Sequence, residues 1–520
     1  MKRYRLILLS TLFCVSSILS QEYYYGTNIS LHKLNSHVYT SYDNCHSIVK
    51  PYNHNNIPKQ QQSLYNSMGD NTRSNKDIDT LFQTGLWNGI ELNNKTKCIP
   101  ILEYSNNFSD ENTSNIGVGF QIDNLSYKRF KFQGRYIYKK GEVSDYSLST
   151  LKRPYVRGLG LSSDTAFKLY NIHDVNLNLA FRANRYIILS IGNGKNFWGD
   201  GYRSLFLSDN SSPYPYFKIE SEFWKVKYIN LYSMHNDNSF YNGKLARKFS
   251  SSHLISWNIH KNINLSVFES VVWQAKDTLN NRNFDVNYLN PIIFFRPVEY
   301  SIGSSDNSFL GANLKFKIFK NHILYSQVIF DEFLLSEFRE NRGWWANKYG
   351  IQLGYKSYNP FKINGLAYQF EFNTVRPYTY SHVSSLQNYG HNNQSLAHPL
   401  ESNFIELLSR IYYQKNNITL LFQHTYQVYG KDYMNNNYGG NMYSSYLNYF
   451  SEYNNVTTQG EENIANYYSL QLSYMLIPSS VTSFFARFDY RDVYSVNNTL
   501  QQSIFSLGIK SNIWENYLDY

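Results

Sequence analysis

Apolar and polar side chains alternate with a period of two through much of the chain from about residue 96 onward. This period places alternate side chains on opposite faces of a β-strand. One face of each strand is therefore expected to be apolar and the other polar. Two clear examples are Val175, Leu177, Leu179 and Phe181 against Asn176, Asn178, Ala180 and Arg182, and Leu314, Phe316 and Ile318 against Lys315 and Lys317.

Short and long connections separate the predicted strands. Asn-Asn or Lys-Asn pairs at 261–262, 320–321 and 416–417 are short enough for tight hairpins. Counting segments that the pattern misses, we expect about 16 to 18 strands. The longest predicted loops are 141–170, 193–216, 275–312, 334–347, 375–402 and 430–465.

The N-terminus has the features of a secretory signal peptide. A basic start is followed by the short apolar run LILLSTLFCVSSILS, and we expect cleavage after Ser20. Cys14 follows Phe13, which does not fit a lipoprotein cleavage site. No later run approaches the roughly 18 apolar residues that a membrane-spanning helix needs.

An exported chain of this kind is either soluble or a closed barrel in an outer membrane. Its 49 Tyr, 34 Phe and 8 Trp make 18% of the sequence aromatic, while the mean hydropathy is −0.49. Apolar outer faces, polar inner faces and aromatic girdles produce this mixture. We therefore predict an all-β fold, a transmembrane antiparallel β-barrel of about 18 strands over residues 96–520, in a bacterial outer membrane.

Residues 21–95 differ from the rest of the chain. They are rich in Asn, His, Ser and Gln and show little alternation. We predict a small N-terminal periplasmic segment or plug, helical or irregular, between the signal peptide (1–20) and the barrel.

Charge and cysteine content leave several possibilities open. Removing residues 1–20 lowers the formal charge from +10 to +7. This excess suits an acidic polysaccharide or the phosphates of outer-membrane lipid, whereas nucleic acid is not expected for an exported protein. Cys45 and Cys98 remain, and their pairing is left open. No cofactor and no metal site are expected.

A glycine-rich stretch is the most distinctive motif. Residues 192–218 read GNGKNFWGDGYRSLFLSDNSSPYPYFK, and a second block combines RPYTYSH (376–382), YGH (389–391) and LAHPL (396–400). Together they resemble the Wzi-like capsule-assembly outer-membrane proteins, including relatives among gliding-motility proteins. The resemblance implies a monomeric barrel that binds or organises capsular or other surface polysaccharide at the cell exterior, in support of capsule assembly, gliding motility or adhesion.

Aromatic rings and planar polar groups in these blocks suit sugar recognition, since Arg donates two parallel hydrogen bonds to carboxylates. The alternative is that they form an interfacial girdle or a packed plug. The candidate glycan-binding residues are Trp198, Asp200, Tyr202, Arg203, Arg296, Arg376, Tyr378 and His398.

Two other functions are compatible with the same barrel fold. One is a porin or substrate channel. The other is a rim hydrolase using His382, His391 and His398, but no G-x-S-x-G nucleophile motif occurs and the histidine spacing matches no metal pattern. We therefore expect no enzyme.

The C-terminus ends in IWENYLDY (513–520). We predict that this segment closes the last strand, with the terminal aromatic residue serving as the signal for the outer-membrane assembly machinery.

Overall fold

A computed structural model describes residues 39, 45–51, 90–93, 96–127, 129–143, 155–163, 168–241, 244–276, 283–291, 306–477, 482–496, 499–511, 517 and 519. The predicted signal peptide and most of 21–95 lie outside these residues. Eighteen strands form one closed antiparallel barrel. The first nine are β1 Thr96–Phe108, β2 Thr113–Tyr127, β3 Phe130–Glu142, β4 Leu169–Arg182, β5 Ile187–Gly194, β6 Tyr214–Phe223, β7 Val226–Tyr241, β8 Lys244–His260 and β9 Ile263–Gln274. The other nine are β10 Asn307–Phe319, β11 His322–Phe330, β12 Tyr349–Tyr358, β13 Leu366–Val375, β14 Phe404–Lys415, β15 Ile418–Lys431, β16 Glu461–Ile477, β17 Thr482–Ser495 and β18 Thr499–Ser511.

The first and last strands close the ring. Every strand pairs with its neighbours in sequence, and β18 pairs with β1 from Phe505 opposite Phe108 to Lys510 opposite Glu103. Closure removes the free edges that an open sheet would expose. A short strand, Ile90–Asn93, pairs with the start of β1. The predicted fold class is confirmed.

The alternation along β10 shows how the sequence produces this architecture. Leu314, Phe316 and Ile318 are 45%, 41% and 40% exposed on the outer surface, while Lys315 and Lys317 are buried inside. An apolar outer band with a polar interior is the arrangement of outer-membrane barrels. No helix in the described part of the chain is long and apolar enough to cross a membrane.

The two ends of the barrel differ in loop length. Tight turns at 261–262, 320–321 and 416–417 all lie at one end, as predicted, together with the other short connections that follow even-numbered strands. The six long connections lie at the opposite end: 143–168, 195–213, 275–306, 331–348, 376–403 and 432–460. Short turns in bacterial barrels face the periplasm, so the long loops define the outer end.

Two of the long loops fold into the lumen. Phe206 from loop 195–213 stacks on Phe268 of β9, with ring centroids 4.7 Å apart. A Cβ at Gly311 would lie 2.5 Å from the Phe206 ring, so glycine makes room for this packing. The Tyr380 hydroxyl, from loop 376–403, donates a hydrogen bond to Leu205 O at 2.8 Å. The loops therefore form an apolar core inside a polar barrel.

Described segments near both ends of the chain also lie in the lumen. Val49 and Lys50 pair antiparallel with Trp198 and Phe197 of loop 195–213, and residues 45–50 are buried. The sequence predicted that residues 513–520 close the last strand; of these, the structure describes Tyr517 and Asp519, and neither lies in a strand. β18 ends at Ser511, and Asp519 is buried in the lumen against Arg203. The ion pair with Arg203 stabilises the Asp519 carboxylate inside the barrel.

Candidate functional site

Asp200 joins the N-terminal segment to the inner wall of the barrel. Its carboxylate accepts hydrogen bonds from Ser47 Oγ at 2.6 Å and from Asn313 Nδ2 at 3.1 Å. Burial by itself would raise the pKa of Asp200, but the charges of Lys315 and Lys50 hold it below its usual value. Asp200 is therefore an ionised anchor for loop 195–213.

Trp198 is a packing residue in this structure. Its side chain is fully buried and meets Phe268 edge to face, with ring centroids 6.0 Å apart. Its backbone N–H donates to Leu207 O at 2.8 Å, which folds the loop back on itself. The indole therefore contributes to the luminal core.

Arg203, His398 and Glu406 form a buried network in which the Glu406 carboxylate contacts both of the other side chains. Arg203 Nη2 lies 3.0 Å from Glu406 Oε1, and His398 Nε2 lies 2.7 Å from Glu406 Oε2. The Leu400 backbone N–H donates to His398 Nδ1 at 3.1 Å, so Nδ1 carries no proton and the ring is neutral. Burial lowers the pKa of His398 in agreement with this assignment.

Four of the candidate glycan-binding residues are thus packed inside the barrel. Trp198, Asp200, Arg203 and His398 are at most 1% exposed, so a polymer outside the cell does not reach them in this conformation. Their arrangement corresponds to the alternative of a packed plug. Arg296 lies outside the described residues.

Tyr202 contacts a luminal cavity of about 370 Å³. The guanidinium of Arg410 stacks on the Tyr202 ring at 4.0 Å, and the Tyr517 ring meets Tyr202 edge to face at 5.1 Å. Strands β1 to β3 and β14 to β18 supply most of the cavity wall. The cavity therefore lies on the side of the lumen opposite the apolar core.

A separate aromatic cluster forms at the outer end of the barrel. We define the outer aromatic cluster as Trp344, Trp345, Tyr446 and Tyr449. The Trp345 ring stacks on Tyr449 with centroids 4.7 Å apart and planes inclined by 11°, and it lies 5.1 Å from Tyr446. Trp344 lies 6.4 Å from Trp345. All four side chains are partly exposed, so loops 331–348 and 432–460 present aromatic surface to the exterior.

The remaining two candidate residues support this cluster from below. Tyr378 is buried beside Trp345, with centroids 6.0 Å apart, and its hydroxyl donates to Asn437 O at 2.8 Å. Arg376 Nη2 donates to Trp344 O at 3.4 Å and to Asn455 O at 3.3 Å. The two residues therefore tie together the loops that carry the cluster.

The three histidines considered for hydrolysis do not form one site. His382 contacts Gln387 at 3.0 Å, His391 accepts from the Asn236 backbone N–H at 3.0 Å, and His398 contacts Glu406. Among the described residues none of the three hydrogen-bonds to a serine hydroxyl, the contact that an activated nucleophile requires.

The described residues contain no group of three or more His, Cys, Asp or Glu side chains suited to a metal ion. Cys45 and Cys98 are both free thiols. Cys45 is buried, and Cys98 lies on β1.

The outer aromatic cluster was not among the sequence candidates. The adjacent Trp344 and Trp345 lie in a predicted loop, where aromatic residues lack the alternating pattern of a strand. The tyrosine-rich stretch of 433–453 lies in another predicted loop. The sequence feature that could have indicated the cluster is the presence of two aromatic-rich loops predicted at the same end of the barrel.

Comparisons with known proteins indicate the fold. No protein-family model matches the chain, and no curated protein matches it. A solved structure of Wzi from Escherichia coli, described as an outer membrane protein involved in group 1 capsule assembly and a carbohydrate-binding β-barrel, is similar with a TM-score of 0.54. The match has 11% identity and covers 94% of this chain and 99% of that chain.

Two further solved structures give weaker matches. OprD from Pseudomonas aeruginosa matches with a TM-score of 0.42 and 10% identity, covering 82% of this chain and 97% of that chain. OccAB2 from Acinetobacter baumannii matches with a TM-score of 0.42 and 9% identity, covering 80% and 97%. At 11% identity, the likeness to the Wzi structure extends to the outer-membrane barrel fold alone.

Proposed function

We propose that this protein binds surface or capsular polysaccharide at the cell exterior, with the barrel as its membrane anchor. The observation that carries the proposal is the outer aromatic cluster, which places four partly exposed rings on two adjoining outer loops. A role in capsule assembly, gliding motility or adhesion follows from holding polymer at this position. The proposed mechanism is non-covalent.

The physical basis is the chemistry of exposed aromatic side chains. Tyr and Trp offer rigid surfaces with an apolar face and a polar edge, and little side-chain entropy is lost on binding. Stacking between Trp345 and Tyr449 fixes the orientation of both rings before a ligand arrives. A pre-ordered platform loses less entropy when it binds than a mobile one.

Charged side chains near the cluster pair with one another. Arg342 is exposed, and its guanidinium lies 4.6 Å from the Tyr453 ring. Its Nη2 donates to Glu337 at 2.7 and 2.9 Å and its Nε lies 2.8 Å from Glu340, so Arg342 belongs to an exposed ion-pair group. The E. coli Wzi structure is described as a carbohydrate-binding barrel, and the shared fold supports the same class of ligand here.

The test compares two tryptophans at opposite barrel ends. Trp345→Ala removes the centre of the outer aromatic cluster, whereas Trp224→Ala removes a 66% exposed tryptophan in a short turn at the periplasmic end. Cells carrying each variant are assayed for bound polysaccharide and for surface movement. We expect W345A to lose polymer retention and W224A to keep it. Equal retention in both strains would contradict the proposal.

A substrate channel is the second candidate, and the luminal cavity is the observation that favours it. The two candidates differ in their conductance. We expect the purified barrel in a planar bilayer to show little ion flow, because loops 195–213 and 376–403 pack inside it. Steady channel conductance would favour transport.

A further inference from the structure

The luminal cavity has walls suited to a polar ligand. Its volume of about 370 Å³ falls in the range of small-molecule sites, about 300–1,000 Å³. Amide and hydroxyl groups from several strands line it, among them Asn107, Asn115, Ser469 and Gln471. Tyrosine rings and arginines lie between these groups. A ligand with many hydroxyls would find partners on several walls.

The guanidinium of Arg410 has no carboxylate among its cross-strand neighbours. Its cross-strand neighbours are Gln369 on β13 and Gln423 on β15, both neutral. Among the described residues it forms no hydrogen bond and no ion pair within 4.0 Å, and its contact is the stack on Tyr202 at 4.0 Å. Its Nε is buried without a partner. A partly buried guanidinium is stabilised by a planar anion, since five donors remain to be satisfied.

A second arginine lies over a tyrosine on another wall of the same cavity. The guanidinium of Arg491 lies 4.9 Å from the Tyr467 ring. The Tyr467 hydroxyl donates to Asp489 at 2.7 Å, which orients the ring. The cavity therefore has two ordered tyrosine rings, each combined with a cation.

The cavity wall already contains one bound carboxylate, that of Asp519. Asp519 Oδ2 lies 2.9 Å from Arg203 Nη2, and Asp519 also lines the cavity. Gln427 donates to its backbone oxygen at 3.0 Å. The interior therefore already holds an anionic group through arginine and amide contacts.

We propose that the luminal cavity binds a carboxylate-bearing saccharide unit, with Arg410 holding the carboxylate and the amide and hydroxyl groups of the cavity wall holding the sugar hydroxyls. A uronic acid combines the required features, because it has one planar anion and several hydroxyls on a compact ring. The inference rests on the proposed polysaccharide role and specifies acidic sugars as the units recognised inside the barrel. The inner site is distinct from the outer aromatic cluster.

The test uses the full-length barrel in detergent micelles and isothermal titration calorimetry. The probes are glucuronate, glucose as the neutral sugar, and propionate as the carboxylate without a ring. We expect glucuronate to bind at least tenfold more tightly than either comparison ligand. No glucuronate binding, or equal binding of glucose or propionate, would overturn the inference.

Variants assign the binding to the cavity. Arg410→Gln is expected to weaken glucuronate binding at least tenfold and Arg410→Lys to weaken it less, while the exposed Arg342→Gln at the outer end should match the wild type. Heat-dependent gel mobility verifies that each barrel has folded. Wild-type affinity in R410Q would overturn the site assignment, and so would an equal loss in R342Q.

The outcome is separable from that of the proposed function. Trp345→Ala is expected to reduce polymer retention on cells while leaving glucuronate affinity of the purified barrel unchanged. Loss of glucuronate binding in W345A would contradict a separate inner site, whereas failure of W345A to affect retention would count against the outer cluster alone.

Discussion

Arg203 and Glu406 meet across the lumen in a two-point ion pair. Arg203 Nη2 lies 3.0 Å from Glu406 Oε1, and Arg203 Nε lies 3.3 Å from Oε2. Both side chains are fully buried. Arg203 belongs to the loop between β5 and β6, whereas Glu406 lies on β14, so the pair fastens an inward-folded loop to the distant wall.

Arg203→Gln is expected to destabilise the barrel strongly. The substitution leaves two buried carboxylates, Glu406 and Asp519, without their cation. Removing one partner of a buried ion pair costs about 3–5 kcal/mol. Guanidinium unfolding in detergent, followed by tryptophan fluorescence, measures the change. The exposed Arg342→Gln serves as the control and should unfold with the wild type; equal midpoints for R203Q and wild type would contradict the role of the pair.

Asp519→Asn tests whether the C-terminal residues stabilise the luminal network. Asp519 contacts Arg203 at 2.9 Å and accepts a hydrogen bond from Gln423. Arg203 retains Glu406 in this variant, so we expect a smaller loss, about 1.5–3 kcal/mol for one charged hydrogen bond.

A double-mutant cycle with Arg203→Gln isolates this interaction. The two losses should be less than additive, because each substitution removes the same contact. Fully additive losses in guanidinium unfolding would show that Asp519 acts independently of Arg203.

The barrel was predictable because its signal repeats in each strand. Leu314, Phe316 and Ile318 face outward as the pattern required, and a two-residue period has one structural meaning in an exported chain. The long loops were also located, since 195–213 falls within the predicted loop 193–216 and 376–403 differs from the predicted loop 375–402 by one residue at each end.

Two features of the barrel wall were not predicted by the sequence pattern. The sequence over 217–233 predicts one continuous strand, whereas the structure has β6 and β7 joined by a turn at Trp224 and Lys225. Trp224 takes a positive φ of 56°, a conformation that bulky side chains rarely adopt, so its sequence gives no turn indication. The pattern predicts no strand over 96–108, where β1 lies, because Pro100 lies within it and proline is uncommon inside strands.

The interior could not be predicted from local patterns. His398 and Glu406 are eight residues apart, but Arg203 is 203 residues from Glu406. Their meeting depends on closure of the whole ring. The sequence marks the motif containing Trp198 and Asp200 as distinctive, yet no local feature of it distinguishes a packed plug from an exposed binding loop.

Stability is expected to fall as pH decreases below about 6.5, the ordinary histidine value. Burial lowers the pKa of His391 to about 3, whereas the unfolded chain takes up a proton near 6.5. A base with a lowered pKa in the folded state contributes stability above 6.5 that is lost on acidification. At pH 5.5 the loss is about 1.4 kcal/mol for this histidine.

Unfolding of wild type and His391→Gln at pH 7.5 and pH 5.5 measures this contribution. The groups around His391 are His235, with ring centroids 5.4 Å apart, Tyr214 at 5.8 Å, and the charge of Lys248. H391Q should depend less on pH than the wild type. An unchanged difference between the two pH values would mean that His391 does not titrate on unfolding.

Gly354→Ala is expected to disturb the lumen through an aromatic neighbour. A Cβ at residue 354 would lie 2.1 Å from the ring of Tyr325, so the ring must move. The Tyr325 hydroxyl donates to Glu371 at 2.8 Å, and Glu371 in turn accepts the Arg203 backbone N–H at 3.2 Å. Displacing the ring therefore weakens the hold on loop 195–213. Overpacking of this kind costs about 1–3 kcal/mol.

Gly194→Ala is the matched control, because a Cβ there would have its nearest neighbour at 3.7 Å, an ordinary contact. Both glycines lie in barrel strands, so the loss of backbone freedom is similar. Guanidinium midpoints should fall for G354A and stay within about 0.5 kcal/mol of wild type for G194A. Because both substitutions add one methyl group, equal effects would attribute the loss to the strand backbone and remove Tyr325 from the explanation.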